Sequence, residues 1–247
     1  MNAARWLMLL SLLIILILTA NGTLMKMAAG VPRSGQYVAR FWPLSWDRLP
    51  SALDSAWYTL KMSIYGTVLA LLTAMPLAHL ASRNITPSTI VYLTTRCILT
   101  IMRGLPAVVL GIMFVAAVGL GETAGILSLW FHTTGVFGKY MSEAFEVADQ
   151  DTLDAAAVDG ASKWQSYSMV LIPMQANAII SFVMYYVEAN FRHATVLGIV
   201  GAGGIGMELA TSVGLFKYGW TGVLILTIAT MSLSIDLLSR FVRSKLQ

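Results

Sequence analysis

The stretch Leu197-Gly-Ile-Val-Gly-Ala-Gly-Gly-Ile-Gly-Met-Glu-Leu209 holds, at Gly201 to Gly206, the spacing G-x-G-x-x-G. Between a strand and a helix of a soluble βαβ unit, that spacing cradles the pyrophosphate of a dinucleotide. Such a site needs a short strand before the glycines and an acid about 20 residues beyond them. Here the preceding block, Ile179 to Val200, is too long for a strand, and Leu224 to Ser232 (LILTIATMS) contains no acid. The glycines therefore mark a turn between two helices, where they permit positive φ and close backbone approach. Non-helical backbone within a membrane is tolerated only where protein or a water-filled cavity surrounds it. Gly201, Gly203, Gly204 and Gly206 form either a tight packing hairpin or a turn that shapes the extracytoplasmic end of a pathway.

Composition supports the helical reading. Of 247 residues, 57% are hydrophobic and only 11% charged, against roughly 25% charged in soluble domains. The apolar residues come in blocks long enough to cross a bilayer as helices. The net charge of +4 is scattered, without a basic cluster interleaved with aromatics, so nucleic acid is not an expected partner. The single cysteine, Cys97, excludes an internal disulfide framework, and no metal-ligand set surrounds it in sequence. No Ser/His/Asp set, paired catalytic carboxylates or metal-spaced His/Cys cluster is legible, so the chain is not expected to be an enzyme or to bind a metal.

Residues 1–50 read as an N-terminal helix and an extramembrane connection, and residues 51–247 as a transmembrane domain. Trp6 to Ala20 is either a signal-peptide core or a retained helix. It is read as retained, because no good small-x-small cleavage site follows. A second helix covers Ser55 to Leu80. The next block, Thr89 to Leu120, would be roughly 46 Å long if wholly helical, and it overshoots a hydrocarbon core of about 30 Å. A break is expected at Gly104-Leu-Pro106, since proline removes a backbone donor and clashes with the preceding turn. A fourth helix covers Thr123 to Phe145. The polar stretch Glu143 to Ser168 follows, then a fifth block, Ile172 to Val200, and a sixth, Trp220 to Phe241. The fold class is an all-α membrane protein of about six transmembrane helices. Both termini and the loop 143–173 then share one side. Arg5, Arg240, Arg243 and Lys245 make that side cytoplasmic by the positive-inside rule, against four basic residues in the first connection.

Ionisable side chains in membrane helices are costly and usually face the bundle interior or a water-filled path. Glu188 and Arg192, four apart, are within pairing reach on one helix face, and His193 is adjacent. They form either a self-neutralising ion pair or a polar lining for an anion. His132, in the fourth helix, is either a satisfied core histidine or a pathway residue. Arg96 and Arg103 precede the expected break and are placed toward one membrane surface. Asp236 is read as packing or capping the sixth helix.

The polar loop reads Asp154-Ala-Ala-Ala-Val-Asp-Gly-Ala-Ser-Lys-Trp-Gln-Ser-Tyr-Ser-Met-Val-Leu-Ile-Pro173. Alanines make a slim helix, Gly160 supplies a sharp turn, and Pro173 opens the next helix. This segment resembles the coupling loop of ABC import permeases: Glu-Ala-Ala, three residues, Gly, nine residues, Ile-x-Leu-Pro. Ala155, Ala156, Gly160 and Pro173 match outright, while Asp154, Val170 and Ile172 replace the glutamate, isoleucine and leucine. Phe114 to Glu146 and Val187 to Gly206 are similar to the phosphonate-type permeases that serve phosphonate, phosphite or hypophosphite uptake. The Gly-rich segment is shared with methionine permeases, and the run His132-Thr-Thr-Gly-Val136 favours the phosphonate group.

The resemblance implies a type I ABC importer permease fold in a bacterial inner membrane. It also implies a second permease subunit, identical or a sister chain, a periplasmic substrate-binding protein, and two ATPase subunits that bind ATP and Mg. This chain would carry no cofactor and contact lipid. Asp154, Ala155, Ala156, Gly160 and Pro173 would couple to the ATPase, and Glu188, Arg192, His193, Arg103 and His132 are the candidate translocation path. A methionine permease is the near alternative. A secondary transporter is the alternative of another class, but it should bring its own energy coupling, and often internal repeats, neither of which is evident.

Overall fold

The computed structural model describes residues 9–11, 13–14, 26, 34–148, 152, 158 and 160–246. The expected first helix, Trp6 to Ala20, therefore falls largely outside the described residues. After a short 3₁₀ turn at Trp46–Arg48 come α1 (Leu49–Leu80), α2 (Thr89–Gly104), α3 (Ala107–Val118) and α4 (Glu122–Glu146). A one-turn helix, Lys163–Ser166, runs through a π-turn at Tyr167–Leu171 into Ile172–Met174. Then follow α5 (Ala176–Leu197), a π-turn at Gly198–Ala202, α6 (Gly204–Gly214) and α7 (Tyr218–Leu246). No strand occurs among the described residues.

α4 is the central element. It packs along α1 and also meets α2, α3 and α5. Small residues make the close approach possible. On α1 the buried stripe is Ala52, Ala56, Thr59, Ser63, Gly66, Ala70, Ala74 and Ala78, at the three- and four-residue spacing of one helix face. On α4, a Cβ at Gly135 would lie 2.5 Å from the Arg103 backbone nitrogen, so α2 and α4 touch nearly backbone to backbone. Where the seam is polar, it closes on itself. Asn190 of α5 donates to the hydroxyls of Thr67 (2.9 Å) and Thr133 (3.1 Å), and Ser63 donates to the Val187 carbonyl (2.5 Å). Such interhelical bonds are worth about 0.6 kcal/mol each and fix the register of the helices.

Among the described residues, two helices, at Trp46–Leu80 and Tyr218–Lys245, are long and apolar enough to cross a membrane. Two bent pairs bring the number to four if each pair is one span: α2 with α3, bent by 89°, and Tyr167–Met174 with Ala176–Ala202, bent by 64°. The first of the six blocks counted in the sequence lies largely outside the described residues. α4 is present where the fourth block predicted a helix, but it is not among the helices that qualify. Its buried face mixes Gly, Ser and Thr with Leu129, Phe137, Met141 and Phe145, and the polar and small residues lower its hydropathy. The sequence reading also passed directly from the glycine turn to the last helix, whereas α6 stands between them.

Candidate functional site

The break between α2 and α3 follows from two residues. Leu105, ahead of proline, is extended (φ −82°, ψ 119°), as the proline ring requires of its predecessor, and Pro106 (φ −59°, ψ 137°) starts the next helix. His132 Nδ1 lies 2.9 Å from the Leu105 carbonyl oxygen. A carbonyl can only accept, so Nδ1 carries the proton and donates it. His132 therefore caps a carbonyl at the break, and the His193 ring stands edge-on to it with centroids 5.9 Å apart.

α5 carries the other polar groups. Glu188 is buried, with only 8% of its side chain exposed, and accepts a hydrogen bond from Nη1 of Arg192, whose side chain is 51% exposed. The carboxylate thus points into the bundle while the guanidinium reaches out of it. Arg192 lies on an exposed stripe with Tyr185, Val196 and Ile199. His193 Nδ1 is buried and has no hydrogen-bond partner among the described residues. Arg103, exposed at the last turn of α2, is within electrostatic reach of Tyr186 and has no ion-pair partner among the described residues. It lies two turns, roughly 10 Å, beyond Arg96, so the two arginines occupy different levels of the bundle. Arg192 thus pairs with Glu188 on α5, and His193 of the same helix meets His132 of α4 edge-on, whereas Arg103 of α2 is not joined to them by any hydrogen bond or ion pair among the described residues.

The glycine turn is closely packed. Gly201 (φ 101°), Gly203 (φ 85°) and Gly204 (φ 68°) all take left-handed backbone, which side chains beyond glycine resist. The turn is pinned from two directions. The Gly121 amide donates to the Gly201 carbonyl (3.0 Å), and the Ile205 amide donates to the Thr59 hydroxyl of α1 (2.9 Å). Gly206 faces the Thr195 carbonyl with no room for a Cβ.

Of the coupling residues read from the sequence, Asp154, Ala155 and Ala156 lie outside the described residues. Gly160 turns with φ +84°, and a Cβ there would meet nothing within 4 Å, so backbone conformation alone demands the glycine. Directly after it, the Ser162 amide donates to Gln165 Oε1 (2.8 Å) and the Gln165 amide to Ser162 Oγ (3.3 Å). This is a reciprocal capping box that starts the return helix. Pro173 does not open α5: it lies near the end of the helical run from Lys163 to Met174, after the π-turn and just before the 64° bend that precedes α5 at Ala176. The anchor of the segment is Tyr167, a residue not singled out in the sequence reading. It is 1% exposed, stacks beside His79 (4.6 Å) and edge-on to Phe145 (5.3 Å), and its hydroxyl donates to the Met75 carbonyl (2.6 Å). Its ring ties the return helix to α1 and α4 together.

Further polar contacts join elements far apart in the sequence. Arg96 pairs with Glu146 (3.2 Å) and Glu143 (3.7 Å), and Lys139 pairs with Glu143 (3.1 Å), which joins α2 to the end of α4. Glu208 of α6 accepts from the Ser55 hydroxyl of α1. Asp236 pairs with Arg240 one turn on (2.6 Å), in keeping with a packing role in α7.

Residues 66–247 match the family described as binding-protein-dependent transport system inner membrane component. The chain is 37% identical over 185 residues to the phosphite transport system permease protein PtxC of Stutzerimonas stutzeri, covering 75% of this chain and 67% of that one. It is 30% identical over 208 residues to the phosphate-import permease protein PhnE of Mycolicibacterium smegmatis, covering 84% of this chain but only 39% of that one. Among solved structures, an inward-facing MetNI methionine ABC transporter superposes with a TM-score of 0.70 at 19% identity, over 83% of this chain and 99% of that one. A bacterial ABC transporter that imports alginate superposes with a TM-score of 0.65 at 16% identity, over 98% and 96%. The two structures establish the shared helical fold, and the family match spans everything from the middle of α1 to the C-terminus. The chain belongs to the inner membrane components of binding-protein-dependent transport systems.

Proposed function

We propose that this chain is the membrane-spanning subunit of an ATP-driven importer for a small tetrahedral phosphorus oxyanion: phosphite, hypophosphite, a phosphonate or phosphate. It works with a second permease, two ATPase subunits that bind ATP and Mg, and a periplasmic binding protein. About six spans, with both termini and the coupling loop cytoplasmic, give the arrangement such an assembly needs. The observation that carries the substrate class is the half-exposed guanidinium of Arg192 on the apolar helix α5. Arg192 reaches outward from α5, and Arg103 has no ion-pair partner among the described residues. A guanidinium offers a planar fork of donors that matches phosphorus oxyanion geometry where water is scarce. The names of the phosphite and phosphate permeases point the same way.

Chemically, the path needs no reaction at the solute. Binding energy from ATP is converted to motion in the partner subunits and reaches the bundle through Gly160 to Pro173, with Tyr167 as the contact to α1 and α4. The test is uptake by the reconstituted assembly of labelled phosphite, hypophosphite, methylphosphonate and phosphate, with methionine as control. Uptake of at least one phosphorus oxyanion and none of methionine is expected. Methionine uptake without any phosphorus substrate would refute the assignment.

A further inference from the structure

A cleft of about 370 Å³ lies between α4, α5 and α7, lined by Tyr140, Asn177, Ser181, Phe182, Tyr185 and Arg243. The only ionic group among its described lining residues is the Arg243 guanidinium. On the same helix, Arg240 is neutralised by Asp236 at 2.6 Å, whereas no carboxylate lies within ion-pair distance of Arg243 among the described residues. The Arg243 Nε donates to the Ser239 carbonyl at 3.3 Å, which aims the side chain and leaves its two NH₂ groups for the cleft. Around them stand an amide (Asn177) and three hydroxyls (Ser181, Tyr140, Tyr185), all able to donate hydrogen bonds. One wall is rigid, because Tyr140 stacks flat on Phe182 with ring centres 3.7 Å apart and planes 11° from parallel. The volume would hold roughly a dozen waters at about 30 Å³ each, ample for a tetrahedral oxyanion that keeps part of its hydration.

We propose that this cleft is a second anion site, built to take a tetrahedral phosphorus oxyanion at the end of the bundle that carries the coupling segment. This rests on the reading of the chain as an oxyanion permease. Tyr185 connects the two levels. It lines the cleft and shares the exposed stripe of α5 with Arg192, two turns or roughly 10 Å away. An anion that leaves Arg192 along that face meets Arg243 next. The same chemistry is offered by the phosphate of an anionic lipid headgroup, and the site takes whichever source reaches it.

The test uses the purified complex of permease and ATPase subunits, without binding protein, in a Glu188→Gln/Arg192→Gln background, which removes the upper cation without leaving a buried carboxylate unpaired. Binding of radiolabelled phosphite in neutral detergent is expected to weaken at least about tenfold on Arg243→Gln, the loss of a charge-assisted pair, and to be partly retained in Arg243→Lys. Nanodiscs of phosphatidylcholine, alone or with phosphatidylglycerol, separate the sources. Displacement of phosphite by phosphatidylglycerol assigns the site to a lipid headgroup, and no displacement assigns it to the free anion. Should Arg243→Gln fail to assemble, Asn177→Leu, at an exposed position in the first turn of α5, removes an amide from the cleft and is expected to weaken phosphite binding or phosphatidylglycerol retention. If neither substitution changes phosphite affinity or phosphatidylglycerol retention, the site does not exist. The importer assignment fails separately, when no phosphorus oxyanion is taken up although the cleft still binds phosphite.

Discussion

Four-residue spacing puts Glu188 and Arg192 on one face of α5, where they pair, but the turn of the helix buries them unequally: the carboxylate is 8% exposed and the guanidinium 51%. That asymmetry makes a sharp experiment. Arg192→Gln leaves a buried carboxylate without its partner, a loss worth roughly 3–5 kcal/mol when a buried pair is broken from one side. The purified assembly should therefore melt at a lower temperature and lose uptake. Glu188→Gln together with Arg192→Gln removes the orphaned charge and should restore the melting temperature. Uptake should stay defective in the double variant if the guanidinium serves the passing anion, and its recovery would reduce Arg192 to a structural partner. His132 illustrates the opposite limit. Its contact with the Leu105 carbonyl joins residues 27 apart in sequence, and no local pattern announces it. The Ser55 to Glu208 contact, across 153 residues, is equally silent.

Among the elements, those governed by local backbone chemistry were the legible ones. The break at Gly104-Leu-Pro106 was foreseen because proline lacks an N–H whatever surrounds it, and the 89° bend is its outcome. α6 went unseen because its 11 residues fall short of a membrane-spanning block, so a search for long apolar runs passes over it. The segment from Gly160 to Pro173 lies between these cases. The turn at Gly160 and the helix start at Ser162 follow from residue type, whereas the docking of Tyr167 against His79 and Phe145 needs the folded bundle. Two substitutions separate those contributions. At Gly160, φ is +84° and space is open, so Gly160→Asn, which tolerates left-handed backbone, should keep most uptake. Gly160→Val should abolish uptake while the chain remains inserted and the assembly intact, as judged by co-purification. Equal uptake in the two variants would free the turn of any role in coupling. At Tyr167, removal of the hydroxyl in Tyr167→Phe costs about one hydrogen bond, on the order of 1 kcal/mol. Tyr167→Ala should cost about 3–5 kcal/mol, since it empties a fully buried aromatic site. Thermal unfolding of the assembled complex reads both, and equal melting temperatures for Tyr167→Ala and the parent would show that the ring is no anchor.

At the scale of the whole molecule, the exposed face of α5 does not suit lipid. Tyr185, Val196 and Ile199 are 43%, 44% and 53% exposed there, and between them stands Arg192. A cation held against hydrocarbon near the bilayer centre costs about 2.5–3.5 kcal/mol even on the lenient insertion scale, so this stripe is expected to face a second permease and the water between the two. The outer face of α7 differs: Leu226, Leu233 and Leu237 are 45%, 61% and 60% exposed, with no charge among them, as contact with acyl chains requires. The contrast predicts a cross-linking pattern. With the native Cys97 first replaced by Ser, Val196→Cys in the assembled complex should form an oxidative cross-link to the same position of an identical copy, or be joined by a short bifunctional reagent to a sister permease. Leu237→Cys under the same conditions should remain uncross-linked and react instead with lipid-soluble maleimides. Cross-linking should depend on both permeases being present, and it should respond to ATP if, as proposed, motion reaches the bundle through Tyr167. If Val196→Cys reacts only with the lipid-soluble reagent and Leu237→Cys forms the dimer, the faces are assigned the wrong way round, and the anion path must be sought along α7 instead of α5.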